Sequence, residues 1–371
     1  MLIIQKLYIK DFLRVFIILS LGISLIFSII SLIDKIDDFV SAEGAFFILL
    51  TYTIYNTPKY FNYILPMSIL LSSLFIFSQA ANRREIVAIK SAGAKISRIF
   101  LPFLIIGILL SLFSFFLSEI VIPALSKEIQ SIKNQLTKKG SNITFKEGSV
   151  FMKGKDGSIV RITLYLDDKD ISHGVSIYKY DEEGLKEKID AEVGQWDGQS
   201  WILKNVNIFN VLDGKSIFVK EIYADQIESP KILKKQILKS EEMTIIELIQ
   251  YDRRLNRAGF KNPKLVVDIS SRFSYPLINF FMIILGLSLS IGAENRLVQK
   301  VLSEKLKGKQ TSGGGVFIAG LGLLLSLIYW LGHSFFLSLG YAGTISPAIS
   351  AWIMPIFFAI CSIYLYRQIP E

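Results

Sequence analysis

Cysteine is nearly absent from this chain: one residue, Cys361, stands in 371 and falls within the last apolar run, so no disulfide can form within the chain. Histidine is almost as scarce. His173 and His333 lie far apart and have no ligand-spaced cysteines, which argues against a metal site. Also missing are a GxxxxGK[ST] phosphate loop, an HExxH helix and a GxSxG elbow, so nothing recognisable for nucleotide, peptide or ester hydrolysis is encoded. A non-catalytic chain is expected. Charge is the most telling absence. It disappears for about twenty residues at a time, the length a helix needs to cross a hydrocarbon core of about 30 Å. With 51% of the residues hydrophobic, these gaps place the chain among membrane proteins. The net charge of +9 is no nucleic-acid signal, because many of the lysines and arginines flank apolar runs, where anionic lipid attracts them, and no RNP-like or finger motif accompanies them. No pair of acids sits in mid-span, as a proton-coupled carrier often requires. His333 alone is titratable deep in a span, and its bland reading is a histidine hydrogen-bonded to a neighbouring helix.

What is present reads as six spans and one insertion. Lys6, Lys10 and Arg14 against Asp11 precede an uncharged run over residues 15–33, too long for a signal-peptide core and without an A-x-A-like cleavage site, hence an uncleaved first span. An acidic cluster, Asp34, Lys35, Asp37, Asp38 and Glu43, follows it and belongs on the far side if the basic start lies inside. Residues 44–57 form a shorter uncharged run ending at Pro58, expected as an interfacial or re-entrant helix. The second span is expected over 60–81 with a kink at Pro66, and the third over 99–118. Charges then recur every few residues. Ser158-Ile-Val-Arg-Ile-Thr-Leu-Tyr-Leu166, Gly174-Val-Ser-Ile-Tyr-Lys-Tyr180, residues 200–209 and residues 216–223 alternate apolar with polar, punctuated by Asp156-Gly157, Asp197-Gly198 and Asp213-Gly214. That pattern predicts an all-β domain, a sandwich or jelly roll. An amphipathic helix over 244–258 closes it, with Ile245, Leu248, Ile249 and Leu255 on a related face. A fourth span over 273–293, a second basic connector with Arg296, Lys300, Lys305, Lys307 and Lys309, and fifth and sixth spans near 315–339 and 348–366 complete the chain. The fold class is therefore an α-helical membrane protein of six spans with an inserted all-β, jelly-roll-like domain. Its domains are residues 1–125, 126–262 and 263–371. Positive-inside counting puts both termini and both basic connectors in the cytoplasm and the β domain outside.

The first connector, residues 82–95, carries the functional reading. Asn82 and Glu85 have the spacing of a capping box, and Gly93 supplies a stop. Glu85, Ala88 and Ala92 fall at i, i+3 and i+7, placing one carboxylate and two small side chains on a face flat enough for a partner's groove, with Ile86 and Ile89 on the neighbouring face. The plain alternative is that Glu85 only caps and that Arg83 and Arg84 only mark the cytoplasmic side.

Read together, Leu32-Ile-Asp-Lys-Ile-Asp-Asp38, Thr57-Pro-Lys-Tyr-Phe61, Arg84-Glu-Ile-Val-Ala-Ile-Lys-Ser-Ala-Gly93 and Ile345-Ser-Pro347 resemble the LptF/LptG family of lipopolysaccharide export permeases, nearer its LptG branch. The resemblance implies a heterodimer with an LptF-like sibling, bound to a dimer of the cytoplasmic ATPase LptB, in the bacterial inner membrane. Such a complex extracts lipopolysaccharide and passes it to a periplasmic β-jelly-roll bridge that begins with an LptC-like protein. The chain itself would hold no cofactor; ATP and Mg would be bound by the partner ATPase. The connector would be the coupling helix, with Arg83, Arg84, Glu85, Ala88, Ile89, Ala92 and Gly93 at the ATPase. Family members face the lipid's phosphorylated head with bases at the outer ends of the first and third spans. Here Ser31 stands at the first-span position, the nearest base is Lys35, and Lys127 and Lys133 follow the third span. A membrane scaffold that transmits force from an ATPase to the β domain is the competing class, and a secondary transporter ranks third.

Overall fold

The structure is a computed structural model that describes residues 3–33, 45–93, 96–136, 144–146, 149–166, 170–181, 184–211, 214–230, 233, 240, 243–257, 261–291 and 313–369. The acidic cluster with Lys35, the end of the first connector and the second basic connector lie outside these residues. Two compact units emerge. Met1–Ile122 with Pro263–Glu371 form the helical unit, and Pro123–Asn262 form the inserted one.

In the helical unit, α1 (Ile3–Ile33), α2 (Ala45–Asn82), α4 (Ile96–Phe116), α7 (Pro263–Ile291) and α8 (Gly313–Tyr341) are long and apolar enough to cross a membrane. The short α3 (Glu85–Ser91) joins α2 to α4. The expected sixth span is broken. A single turn, α9 (Pro347–Ser350), is followed by α10 (Ile353–Arg367), and Ala351 and Trp352 between them keep helical backbone angles. Taken as one rod, Pro347 to Arg367 measures about 31 Å, enough for a crossing.

The separate interfacial helix expected over 44–57 does not occur. Those residues are the first third of α2, which runs unbroken through Pro58 and Pro66. A proline inside a helix forfeits one hydrogen bond, and contacts from neighbouring helices can hold the helix together there. Near Pro58, the Ser28 hydroxyl donates to the Thr53 carbonyl at 2.7 Å; near Pro66, the Tyr275 hydroxyl donates to the Tyr63 carbonyl at 2.9 Å. Because α2 is one helix, it counts as one crossing and the expected parity is unchanged.

Close packing needs small residues where helices touch. A Cβ at Gly286 of α7 would meet the Ser73 side chain of α2, with the Cβ of Ser73 at 2.8 Å, and one at Gly107 of α4 would stand 2.8 Å from Ile283 of α7. α7 is accordingly the most enclosed span and α1 one of the two least enclosed. The buried stripe of α1 is Gln5, Tyr8, Phe12 and Phe16, then Ser20, Ser24 and Ser28. His333 is buried, as expected, but by ring packing: it stacks on Tyr329 at 5.5 Å and sits 5.7 Å from Tyr275, while its Nδ1 makes no hydrogen bond among the described residues. The expected interhelical hydrogen bond is not made at that nitrogen.

The third span continues past its expected end. After α4, a π-helical turn, Leu117–Val121, leads into α5 (Ile122–Leu136), so the inserted unit begins with a helix. It continues as a seven-stranded antiparallel sheet: β1 (Thr144–Lys146), β2 (Ser149–Lys153), β3 (Ile159–Leu166), β4 (Ile171–Asp181), β5 (Gly184–Trp196), β6 (Trp201–Asn210) and β7 (Lys215–Ala224). Each strand pairs with its sequence neighbour, so the inserted all-β domain is connected as an up-and-down meander. Gly157, Gly198 and Gly214 take positive φ in the turns where Asp-Gly pairs predicted them. One face of the sheet is apolar: Val160, Ile162, Val175, Ile177, Ile189, Ala191, Trp201 and Leu203 are buried. Along β6 the inward set shifts from odd to even numbers, Trp201 and Leu203 giving way to Val206. The switch falls at Asn205, at φ 53, which stands opposite Glu192 where the pairing with β5 is interrupted without a change of register. The amphipathic helix is α6 (Ile245–Arg257). A capping box starts it: the Thr244 N–H donates to Glu247 at 2.9 Å, and the Glu247 N–H donates to the Thr244 hydroxyl at 3.3 Å.

Candidate functional site

At the connector, the expected capping box is absent. Asn82 is still the last residue of α2, with the Arg83 N–H donating to the Gln79 carbonyl at 3.0 Å, so it cannot also open the next helix. The chain turns instead through Arg84, which takes the left-handed conformation at φ 58 and makes no side-chain cap. That conformation costs a non-glycine residue about 1–2 kcal/mol. It brings Ile86 into the core, and burying an isoleucine contributes about 1.5–3 kcal/mol in return. Gly93, at φ 75, ends the helix as expected, its N–H donating to the Lys90 carbonyl at 2.9 Å.

Beneath α3 lies a block of rings from three spans. Phe77 of α2 meets Phe103 of α4 edge-on at 4.8 Å and Phe100 at 5.6 Å; Phe12 of α1 meets Phe103 at 5.7 Å. Ile86 belongs to this cluster and Ile89 packs against it. With its isoleucines turned inward, α3 presents Val87, Ala88, Ser91, Ala92 and Gly93 to the exterior, as well as Arg83 and Arg84 just before it. The small-residue face is open, as its spacing predicted.

Glu85 does not share that face fully. Its Oε2 accepts a hydrogen bond from the Tyr8 hydroxyl at 2.5 Å, and its Oε1 lies 3.8 Å from Arg83, with the Glu85 side chain 37% exposed. At the other end of the connector, the Gln5 amide donates to the Arg98 carbonyl at 2.7 Å. Spacing within residues 82–95 could reveal neither contact, because both partners lie some eighty or ninety residues away. The signal that could have found them is the stripe Gln5, Tyr8, Phe12, Phe16, whose polar beginning marks where α1 leaves apolar packing.

The three expected lipid-head contacts fare differently. Lys35 lies outside the described residues, and Lys133 lies in α5. Lys127, also in α5, pairs with Glu247 of α6 at 2.6 Å. Burial raises the Glu247 pKa, but the Lys127 ammonium and the Thr244 cap outweigh it and hold the carboxyl below its ordinary value.

Comparison with known proteins adds a family to this geometry. The model of the lipopolysaccharide export system permease family LptF/LptG matches residues 6–368. The chain belongs to this family. Two curated relatives are the lipopolysaccharide export system permease proteins LptG of Escherichia coli K12 and of E. coli O6:H1 strain CFT073. Each is 23% identical over 248 residues, covering 65% of this chain and 68% of the relative. As a family member it is a multi-pass membrane protein of a lipopolysaccharide export system, and its role there is that of a permease.

Proposed function

We propose that this chain is the LptG-like, non-catalytic permease subunit of an ABC-type exporter in the bacterial inner membrane. It pairs with an LptF-like sibling, rests on an LptB-like ATPase dimer that binds ATP and Mg, and extracts lipopolysaccharide from the membrane. The lipid then passes to an LptC-like periplasmic jelly roll through the β domain, whose apolar inner face suits acyl chains. Both termini and α3 lie in the cytoplasm in this reading. The observation that carries it is the open face of α3 between two spans. Ala88, Ala92 and Gly93 give a partner close approach, and the carboxylate of Glu85 at its edge gives a cation a docking point. Among the bases, Lys35 and Lys133 are proposed to meet the phosphorylated head, and Lys127 to fasten α5 to α6 as well as to bias the local charge.

The test is co-purification of the chain with the LptB-like ATPase of its host, wild type beside Glu85→Arg, followed by ATPase activity and lipid release in proteoliposomes. Wild type should retain the ATPase and the charge reversal should lose it. Equal recovery of the ATPase by both variants would sink the docking role of Glu85.

A further inference from the structure

The connector is fastened to a helix that is not its chain neighbour. α1 reaches the connector twice in one turn: Tyr8 donates to Glu85, the first residue of α3, and Gln5 donates to the carbonyl of Arg98, near the start of α4. Tyr8 is itself held in place, its ring 5.8 Å from that of Phe77 and its side chain almost fully buried. Apart from this inner end, where Phe12 also meets Phe103, α1 lies along α2.

We infer that Tyr8 is a positioning residue that couples α1 to the ATPase by holding one oxygen of Glu85 while the partner engages the other. The inference rests on the docking reading given above. A carboxylate has two oxygens and about four lone-pair sites, so one oxygen can keep a hydroxyl while the other accepts a cation. Among the described residues the second oxygen pairs with Arg83, 3.8 Å away on an exposed side chain, a loose pair that a partner's cation can replace. Tyr8, on Oε2, need not be displaced. A hydroxyl-to-carboxylate bond is charge-assisted and among the stronger hydrogen bonds. Displacement of α3 by the ATPase is then delivered directly to the inner end of α1, and Gln5 carries the same displacement from the start of α4. Without these two bonds α1 would follow only through packing, side by side on α2 and through Phe12 on Phe103 of α4.

Tyr8→Phe removes one hydroxyl and leaves the ring in its stack, so it isolates the bond from the packing. The full complex, purified with its ATPase and reconstituted with lipopolysaccharide, is measured for lipid released per ATP hydrolysed, at a temperature well below unfolding. Tyr8→Phe is expected to co-purify with the ATPase and to release about tenfold less lipid per ATP, the factor one charge-assisted hydrogen bond carries. Gln5→Leu should shift the ratio in the same direction. In a Glu85→Gln background, Tyr8→Phe should cause little further loss, because both changes act on one bond. A wild-type ratio in Tyr8→Phe overturns the inference, and so does loss of co-purification, which would make Tyr8 part of the docking contact. If Glu85→Arg still binds the ATPase, the docking reading fails instead, a result separable from the other two.

Discussion

Arg272 of α7 offers a sharp test of how the spans are held where the β domain departs. Its Nη1 donates to the Ser118 carbonyl at 2.6 Å and lies 3.4 Å from Glu119 Oε1, with the two charged side chains only 10% and 11% exposed. Ser118 and Glu119 sit in the π-helical turn, where the extra residue disturbs the usual i to i−4 ladder and leaves a carbonyl for an outside donor. Arg272→Met keeps an unbranched, flexible side chain but takes the guanidinium from the Glu119 carboxylate in a nearly dry place. Breaking a buried pair from one side costs about 3–5 kcal/mol, whereas an exposed pair is worth less than about 1 kcal/mol. Glu119→Gln in the same chain removes the charge that Arg272 faced, so the double variant should recover much of the loss. Unfolding of the purified chain in a fixed detergent, by thermal or chemical melt, gives the four corners of a double-mutant cycle. A coupling energy of at least about 2 kcal/mol is expected. A value below about 0.5 kcal/mol, or a double variant no better than Arg272→Met, would refute the claim that this pair acts as a buried unit.

Two further outcomes follow from local geometry. Gly286→Ala should lower the melting point and the yield of folded chain, because the new methyl collides with Ser73 and stands 3.3 Å from the Leu70 carbonyl; overpacking of this kind costs about 1–3 kcal/mol. Gly22→Ala, with open space around its Cα, is the control that should change neither. In the β domain, acid should act in two steps. Burial lowers the pKa of His173 below the ordinary 6.5 against the opposing pull of Glu192, so the unfolded chain takes up a proton that the folded one refuses, and stability falls as the pH drops below that value. Glu247 has a lowered pKa, so its contribution is complete above the ordinary carboxyl value of 4.5 and is lost only as the pH falls through its folded pKa. Hydrogen–deuterium exchange should therefore show β4 and β5 loosening first and the α5–α6 contact later; loosening in the reverse order contradicts the assignment.

How much was legible in the sequence depended on how far each signal reached along the chain. Asp-Gly pairs marked three turns because glycine takes the positive φ found at Gly157, Gly198 and Gly214 without steric cost. β3, β4, β6 and β7 showed period-2 alternation of β-branched and aromatic residues. β5 was missed because Lys186, Glu187, Lys188, Asp190 and Glu192 crowd a strand inside the sheet and mask Ile189 and Ala191. The break expected at Pro58 failed because α1 braces α2 there, Ser28 donating to the Thr53 carbonyl, a support that proline chemistry alone does not announce. Asn82 and Glu85 had the spacing of a capping box, as Thr244 and Glu247 did. Only the second pair had a helix starting at the right residue, since α2 had not yet ended at Asn82. Within the candidate site, the open face of α3 was readable from its spacing, while Tyr8 and Gln5 required the fold.

The uneven enclosure of the spans says which of them can respond to a push at α3. A segment yields at low cost when few buried contacts must break. α7 is packed by α2, α4 and α10, and its glycine contacts leave no room to slide without collision, so it behaves as a fixed post. Along α1 the conditions change halfway. The inner half buries Tyr8, Phe12 and Phe16 in the ring block and is bonded at Gln5 and Tyr8, while the outer half buries only serines and leaves Ile17, Ile18, Leu21, Leu25, Ile26, Ile29 and Ile30 exposed. Ser20 and Ser24 spend their hydroxyls on carbonyls of their own helix, at Ile17 and Leu21, so Ser28 makes the cross-helix hydrogen bond of that half. A displacement entering at Tyr8 is thus held tightly where it enters and opposed weakly beyond Phe16. The outer half of α1, in one of the two least enclosed spans, needs to break little more than its packing on α2, Phe27 on Tyr60 included, to move while the core around α7 stays packed.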